Sequence, residues 1–150
     1  MSTWTEQLTA QAAPAAVLAV LTDPGACERW APVDFEVRGL DGDRLRAGSR
    51  ARVEGRLAGR RVCFDVEVLA ADEDRLELLA HGPIALDVAY RLRPVKAGSE
   101  VHASVAVRGN GLAGRVLAHA TGALLAAGAL REAVARIARE AEHLSVAMPA

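Results

Sequence analysis

Between Phe35 and Arg108 the chain alternates apolar and polar residues with a period of two, and turn-forming clusters interrupt the alternation about every ten residues. The interruptions are DGD at 41–43, AG at 58–59, ADED at 71–74, HGP at 81–83 and KAGS at 96–99. Successive side chains of an extended strand point to opposite faces, so this period marks a sheet whose two faces differ. Connections this short join antiparallel neighbours, because a parallel crossover takes about a dozen residues or more. An antiparallel meander is expected. Its covered face is predicted to carry Ala51, Val53, Gly55 and Leu57, then Val62, Phe64, Val66 and Val68, then Leu76 and Leu78. Ile84, Leu86, Val88, Tyr90 and Leu92 follow, and finally Val101, Ala103, Val105 and Val107. Arg50, Arg52, Glu54, Arg56, Asp65 and Glu67 fall on the wet face.

The flanking segments read differently. TWTEQLTAQ alternates and predicts a first strand with Trp4 and Leu8 on one face. Pro14 suits the first turn of a helix containing AAVLAVL, since an N–H at that position has no helical partner in any case. Asp23 and Pro24 have the form of an N-cap and first helical residue, which predicts a second short helix through Trp30, stopped by Pro32. After the last strand, Asn110 is the expected N-cap of a long helix from Leu112 to about Leu144, with Gly114, Gly122 and Gly128 as points where it bends or breaks. Val116, Ala120, Ala123, Ala127, Leu130, Val134, Ile137, Ala141 and Leu144 recur at steps of three and four and define one stripe, predicted to lie over the apolar sheet face. Glu132 stands four residues before Arg136, a spacing that pairs them on one helix face.

The uncharged part of GLAGRVLAHATGALLAAGAL, at 111–130, is shorter than the roughly 20 apolar residues a bilayer crossing takes. No membrane span is expected. Hydrophobic residues make up 51% of the chain but aromatic ones only 3%, so the core must be built from Val, Leu and Ala. Alanines facing valines across a sheet–helix interface leave space. At 150 residues the chain is expected to form one domain over 1–150 with a single core. A net charge of -1 offers no bulk attraction to nucleic acid or anionic lipid. The start, MSTWTEQLTA, lacks the basic and then apolar regions of a secretory signal, and a cytoplasmic location is expected. Cys27 and Cys63 form no CxxC and are expected as reduced thiols.

This order of elements resembles the helix-grip fold of the START-like (SRPBCC) superfamily, which includes polyketide cyclases/dehydrases and lipid-transfer proteins. The resemblance covers nearly the whole chain and is carried by PAAVLAVLTDPGACERWAP, HGPIALDVAYRLRPVKAGSEVHASVAV and GLAGRVLAHATGALLAAGALREAVARIAREAEHL. It implies an α+β fold in which a bent antiparallel sheet of about six or seven strands, two short N-terminal helices and a long C-terminal helix enclose an apolar cavity. The superfamily has no universal catalytic set, so no catalytic residue transfers.

Other chemistries are weakly marked. Gly109, Gly111 and Gly114 have GxGxxG spacing after a strand, but a dinucleotide site also needs a second parallel strand ending in an acidic residue. Glu132, at about the right distance, belongs to a helix, and the glycines are read as a sharp strand-to-helix turn. His81, His102, His119 and His143 have no metal-ligand spacing. His102 and Asp87 fall on wet strand faces. The basic run Arg50, Arg52, Arg56, Arg60 and Arg61 is interrupted by acidic residues and lacks interleaved aromatics, which marks a solvated face rather than a nucleic-acid surface.

The expected cavity walls are therefore Trp30, Val53, Phe64, Val66, Leu78, Leu86, Val88 and Val105, closed by Val116, Ala120, Ala123 and Ala127 of the long helix. Tyr90, by strand parity, and His119, beside the helix stripe, are the candidate catalytic residues; Thr121 and Ser49 are further polar candidates. No metal or cofactor is expected. The reading is a protein that binds a hydrophobic or polycyclic, polyketide- or lipid-like small molecule. A polyketide cyclase, aromatase or dehydratase on the same cavity is one alternative, and a protein-interaction module built on the first half of the long helix is another. The oligomeric state, monomer or dimer, stays open.

Overall fold

In the computed structural model, which describes residues 2–31, 35–40, 42–57 and 59–147, the alternating segment folds into consecutive hairpins. Strands β2 (Phe35–Arg38), β3 (Arg50–Leu57), β4 (Arg60–Asp72), β5 (Arg75–His81), β6 (Ala85–Val95) and β7 (Gly98–Arg108) pair in sequence, and β1 (Ser2–Ala10) adds beside β7. The order is β1-β7-β6-β5-β4-β3-β2, antiparallel throughout. Register lines up Val68, Leu78, Val88, Val105 and Trp4 in one row across five strands. A bulge between Val68 and Ala70 leaves Leu69 exposed and returns Ala71, opposite Leu76, to the inner face. Such an insertion bends its strand, which helps curl the sheet.

Helices α1 (Pro14–Thr22) and α2 (Pro24–Trp30) link the two edges of the sheet. Each begins with proline, and the Asp23 carboxylate accepts from the Gly25 N–H at 3.0 Å, capping α2 as expected. Pro32, and the Asp41 and Ala58 positions of two predicted turns, lie outside the described residues. The Glu28 carboxylate accepts from Val37 N at 3.0 Å, so it occupies a donor on the edge strand β2.

The predicted long C-terminal helix breaks at Gly128, one of its three expected break points, into α3 (Gly111–Ala126) and α4 (Ala129–Ala147), bent by 56°. Gly128, with φ +107°, makes the break, a backbone state that costs L-residues steric strain. Asn110 occupies the N-cap position of α3, but its side chain makes no capping bond. No single helix among the described residues is long and apolar enough to cross a membrane.

Helix α4 packs against β1 and α1. Val17, Val101, Val134 and Ile137 are essentially inaccessible there and form a close-packed half of the interior, with buried Leu21 and Leu76 at its boundary with the cavity. Arg136 donates to the Ala31 carbonyl at 2.9 Å and to Glu132 at 2.5 Å, and Arg29 pairs with Glu140 at 3.2 Å. These bonds pin the end of α2, and with it Trp30, to α4.

Candidate ligand cavity

The other half of the interior is open. A cavity of about 280 Å³ lies between the sheet, α2 and the junction of α3 with α4. Eight of the predicted wall residues are in its lining: Trp30, Val53, Phe64, Val66, Leu78, Leu86, Val88 and Val105. Strand parity reaches the seven on the sheet because inward and outward positions alternate locally in a regular antiparallel sheet. Gly55 sits opposite Phe35 on β2, and both border the space.

The helix side requires correction. Val116 is 63% exposed, Ala123 and Ala127 are exposed, and neither they nor half-buried Ala120 line the cavity. The lining instead comes from Thr121, Leu124 and Leu125 of α3 and from Ala129, Leu130 and Ala133 of α4. Two causes combine. The break at Gly128 resets the helical phase, so no straight stripe connects Val116 to Leu144. Helix α3 also carries only Arg115 and His119 as charged or titratable residues, on one flank, so its apolar periodicity does not single out the inner face among the rest. Thr121 and Leu125 recur at the same spacing as the predicted stripe and carried an equal signal. Gly122 does not border the apolar cavity: a Cβ there would come within 2.8 Å of the Trp4 ring, so its small size serves close packing against that ring.

Polar groups in the lining are few. Tyr90 is 4% exposed and meets Trp30 edge to face, with ring centroids 6.0 Å apart and planes at 77°. Burial pushes its phenol above the ordinary range, with a smaller effect from Cys27. The Trp30 indole N–H is buried beside the Cys27 sulfur and makes no hydrogen bond of ordinary geometry among the described residues. Cys27, which the sequence reading left out of the site, also lines the cavity. Its thiol donates to the Leu21 carbonyl at 3.4 Å, and burial, aided by the negative charges of Asp23 and Glu28, pushes its pKa up to about 12. Thr121 donates its hydroxyl to the Leu117 carbonyl at 2.8 Å. Arg56 contributes its exposed side chain at the border. Away from that border, the ionisable groups Tyr90 and Cys27 are both held neutral at physiological pH.

His119 does not join Tyr90. It is exposed on the far flank of α3 and lines a different cleft with Trp4, Arg108 and Arg115. Ser49 closes a turn, its hydroxyl accepting from Arg46 N at 2.8 Å, and is likewise outside the lining. The glycines of the GxGxxG spacing serve the strand-to-helix turn. A Cβ on Gly109 would collide with the Gly114 backbone, and Gly111 has φ +72°. Among the described residues, no three His, Cys, Asp or Glu side chains are grouped to hold a metal ion.

The family model described as polyketide cyclase / dehydrase and lipid transport matches residues 1–142. No curated protein matches the chain. Among solved structures, protein TTHA0849 of Thermus thermophilus is similar with a TM-score of 0.75 at 17% identity, over 96% of this chain and 99% of that one. Protein CV1439 of Chromobacterium violaceum is similar with a TM-score of 0.69 at 16% identity, over 93% and 96%. DynU16, a protein of the dynemicin biosynthetic locus, is similar with a TM-score of 0.60 at 22% identity, over 93% of this chain and 46% of its own length. These likenesses show a shared fold.

Proposed function

Because the chain belongs to the polyketide cyclase/dehydrase and lipid transport family, we propose that it holds an apolar, polyketide- or lipid-like small molecule in the cavity between the sheet and the α3–α4 junction. The observation that carries this reading is a nearly continuous apolar wall with two neutral donors, the Tyr90 hydroxyl and the Trp30 N–H, on rings that meet edge to face. A buried donor left unmatched costs about 1–3 kcal/mol, so a ligand that supplies an acceptor gains where a pure hydrocarbon does not. The favoured ligand is therefore compact, largely apolar and equipped with an oxygen acceptor such as a ketone. Its size is limited, since the volume is near the lower end of small-molecule pockets, about 300–1,000 Å³. A cyclase or dehydratase reading uses the same space but keeps only Tyr90 of its two expected proton-moving residues, because His119 faces away.

Two variants test the proposal against the neutral fluorophore N-phenylnaphthylamine. Val88→Phe adds a ring to the middle of the wall and is expected to abolish dye binding while thermal stability is held or raised, because the added surface fills space. Wild-type protein that gives no fluorescence enhancement, or a Val88→Phe variant that binds dye as wild type does, counts against the cavity. Tyr90→Phe is expected to weaken binding of an aryl ketone by about tenfold, the value of one lost hydrogen bond, and to spare the matching ethyl arene. Equal losses for both compounds would remove Tyr90 from the recognition of oxygen.

A further inference from the structure

The outward face of α3 is apolar, yet nothing among the described residues covers it. Leu112 is 83% exposed and Val116 63%, and exposed Ala123 and Ala127 continue the ridge. Contiguous exposed apolar side chains mark contact surfaces. Charge decides what makes the contact. On one flank, Arg115 and His119 join Arg108, Asn110 and Trp4 in lining a cleft of about 610 Å³. No acidic side chain lines that cleft, and the sequence has none between Glu100 and Glu132. Arg108 has Asp87 at 4.0 Å, and Arg131 nearby has Glu6 at 3.6 Å; Arg115 has no acidic partner among the described residues. On the other flank Leu124, 37% exposed, also borders the apolar cavity.

A helix with an apolar ridge, a basic flank and a tryptophan beside it matches the layers of a bilayer surface, where acyl chains lie beneath phosphates. A second copy is a poorer fit, since it would set this ridge and its basic flank against an identical face that has no acidic residue in its cleft to match them. We propose that α3 docks the protein on an anionic bilayer. Leu112 and Val116 enter the acyl region, Arg108, Arg115 and His119 take headgroup phosphates, and the cavity border at Leu124 is turned toward the lipid. The last element rests on the reading of the cavity as an apolar-ligand site. With a net charge of -1 the attraction is local, so salt weakens it.

The test is flotation of the full chain with vesicles of phosphatidylcholine alone or mixed with phosphatidylserine, at low and high salt. N-phenylnaphthylamine binding is read on the same preparations without vesicles. Wild type is expected to float with the mixed vesicles, less so at high salt, and to stay down with phosphatidylcholine alone. Leu112→Ser and Arg115→Glu should each weaken flotation by about tenfold or more while leaving dye binding unchanged. A wild type that floats with neither vesicle overturns the proposal, as does a Leu112→Ser variant that floats equally well. So does a wild-type dimer in light scattering that Leu112→Ser converts to monomer without any flotation, which would assign the face to self-association. Protein that floats but binds no dye supports docking and counts against the cavity reading alone; protein that binds dye but does not float does the reverse.

Discussion

Cys27 and Tyr90 are titratable side chains that the fold keeps uncharged, and this links stability to alkali. Cys27 titrates near 9 when free and at about 12 in the folded protein, because the thiolate loses its water. The folded state therefore favours the proton. Below pH 9 the contribution is fully present, and it is lost as pH rises from 9 to about 12, at about 1.4 kcal/mol per unit. Tyr90 acts in the same direction above about pH 10. Denaturant unfolding between about pH 8 and pH 11 should show stability falling with pH, and Cys27→Ala should flatten the fall. Identical slopes would mean that Cys27 ionises as readily folded as unfolded. Cys63 lies exposed on the outer sheet face, so a thiol reagent at neutral pH distinguishes the two cysteines.

At the scale of elements, Gly128 is where the C-terminal helix becomes two. Its positive φ lies where a side chain is strained, yet a Cβ there would touch nothing. Gly128→Ala should thus cost about 1–2 kcal/mol from the backbone alone, read as a lowered melting temperature. A variant as stable as wild type would imply that the helix runs straight through. The same position explains why inward positions were legible in the sequence for the sheet and not for the helix. Val53, Phe64 and Val88 reach the cavity through a rule that acts between adjacent residues, and tight hairpins preserve it from strand to strand. The direction of Val116 and His119 depends instead on where the helix breaks and on which face Trp4 packs against Gly122, a contact between chain segments far apart. The bulge at Leu69 was hidden for a related reason, since Leu and Ala read the same on either side of it.

Across the whole molecule the interior is divided. Helix α4, α1 and the strands they cover hold the close-packed half, while α3 and the β2–β4 side of the sheet surround the open one. Stability should be distributed in the same way. Ile137→Ala, at a position with 0% exposure, should cost about 2–5 kcal/mol as an unfilled void. Half-buried Val53 already borders empty space, so Val53→Ala should cost less than about 1 kcal/mol, because it removes fewer contacts. Denaturant midpoints of the two variants check this, and equal losses would contradict the division. The two tryptophans fall on opposite sides of α3: Trp30 in the cavity wall and Trp4 in the basic cleft. Their indoles are separate native fluorophores for separate events. With Trp4→Phe, the remaining emission reports the polarity and occupancy of the cavity through Trp30; the difference from wild type reports the surroundings of the cleft. An unlabelled sample thus distinguishes filling of the interior from contact at the surface, by wavelength and quenching alone.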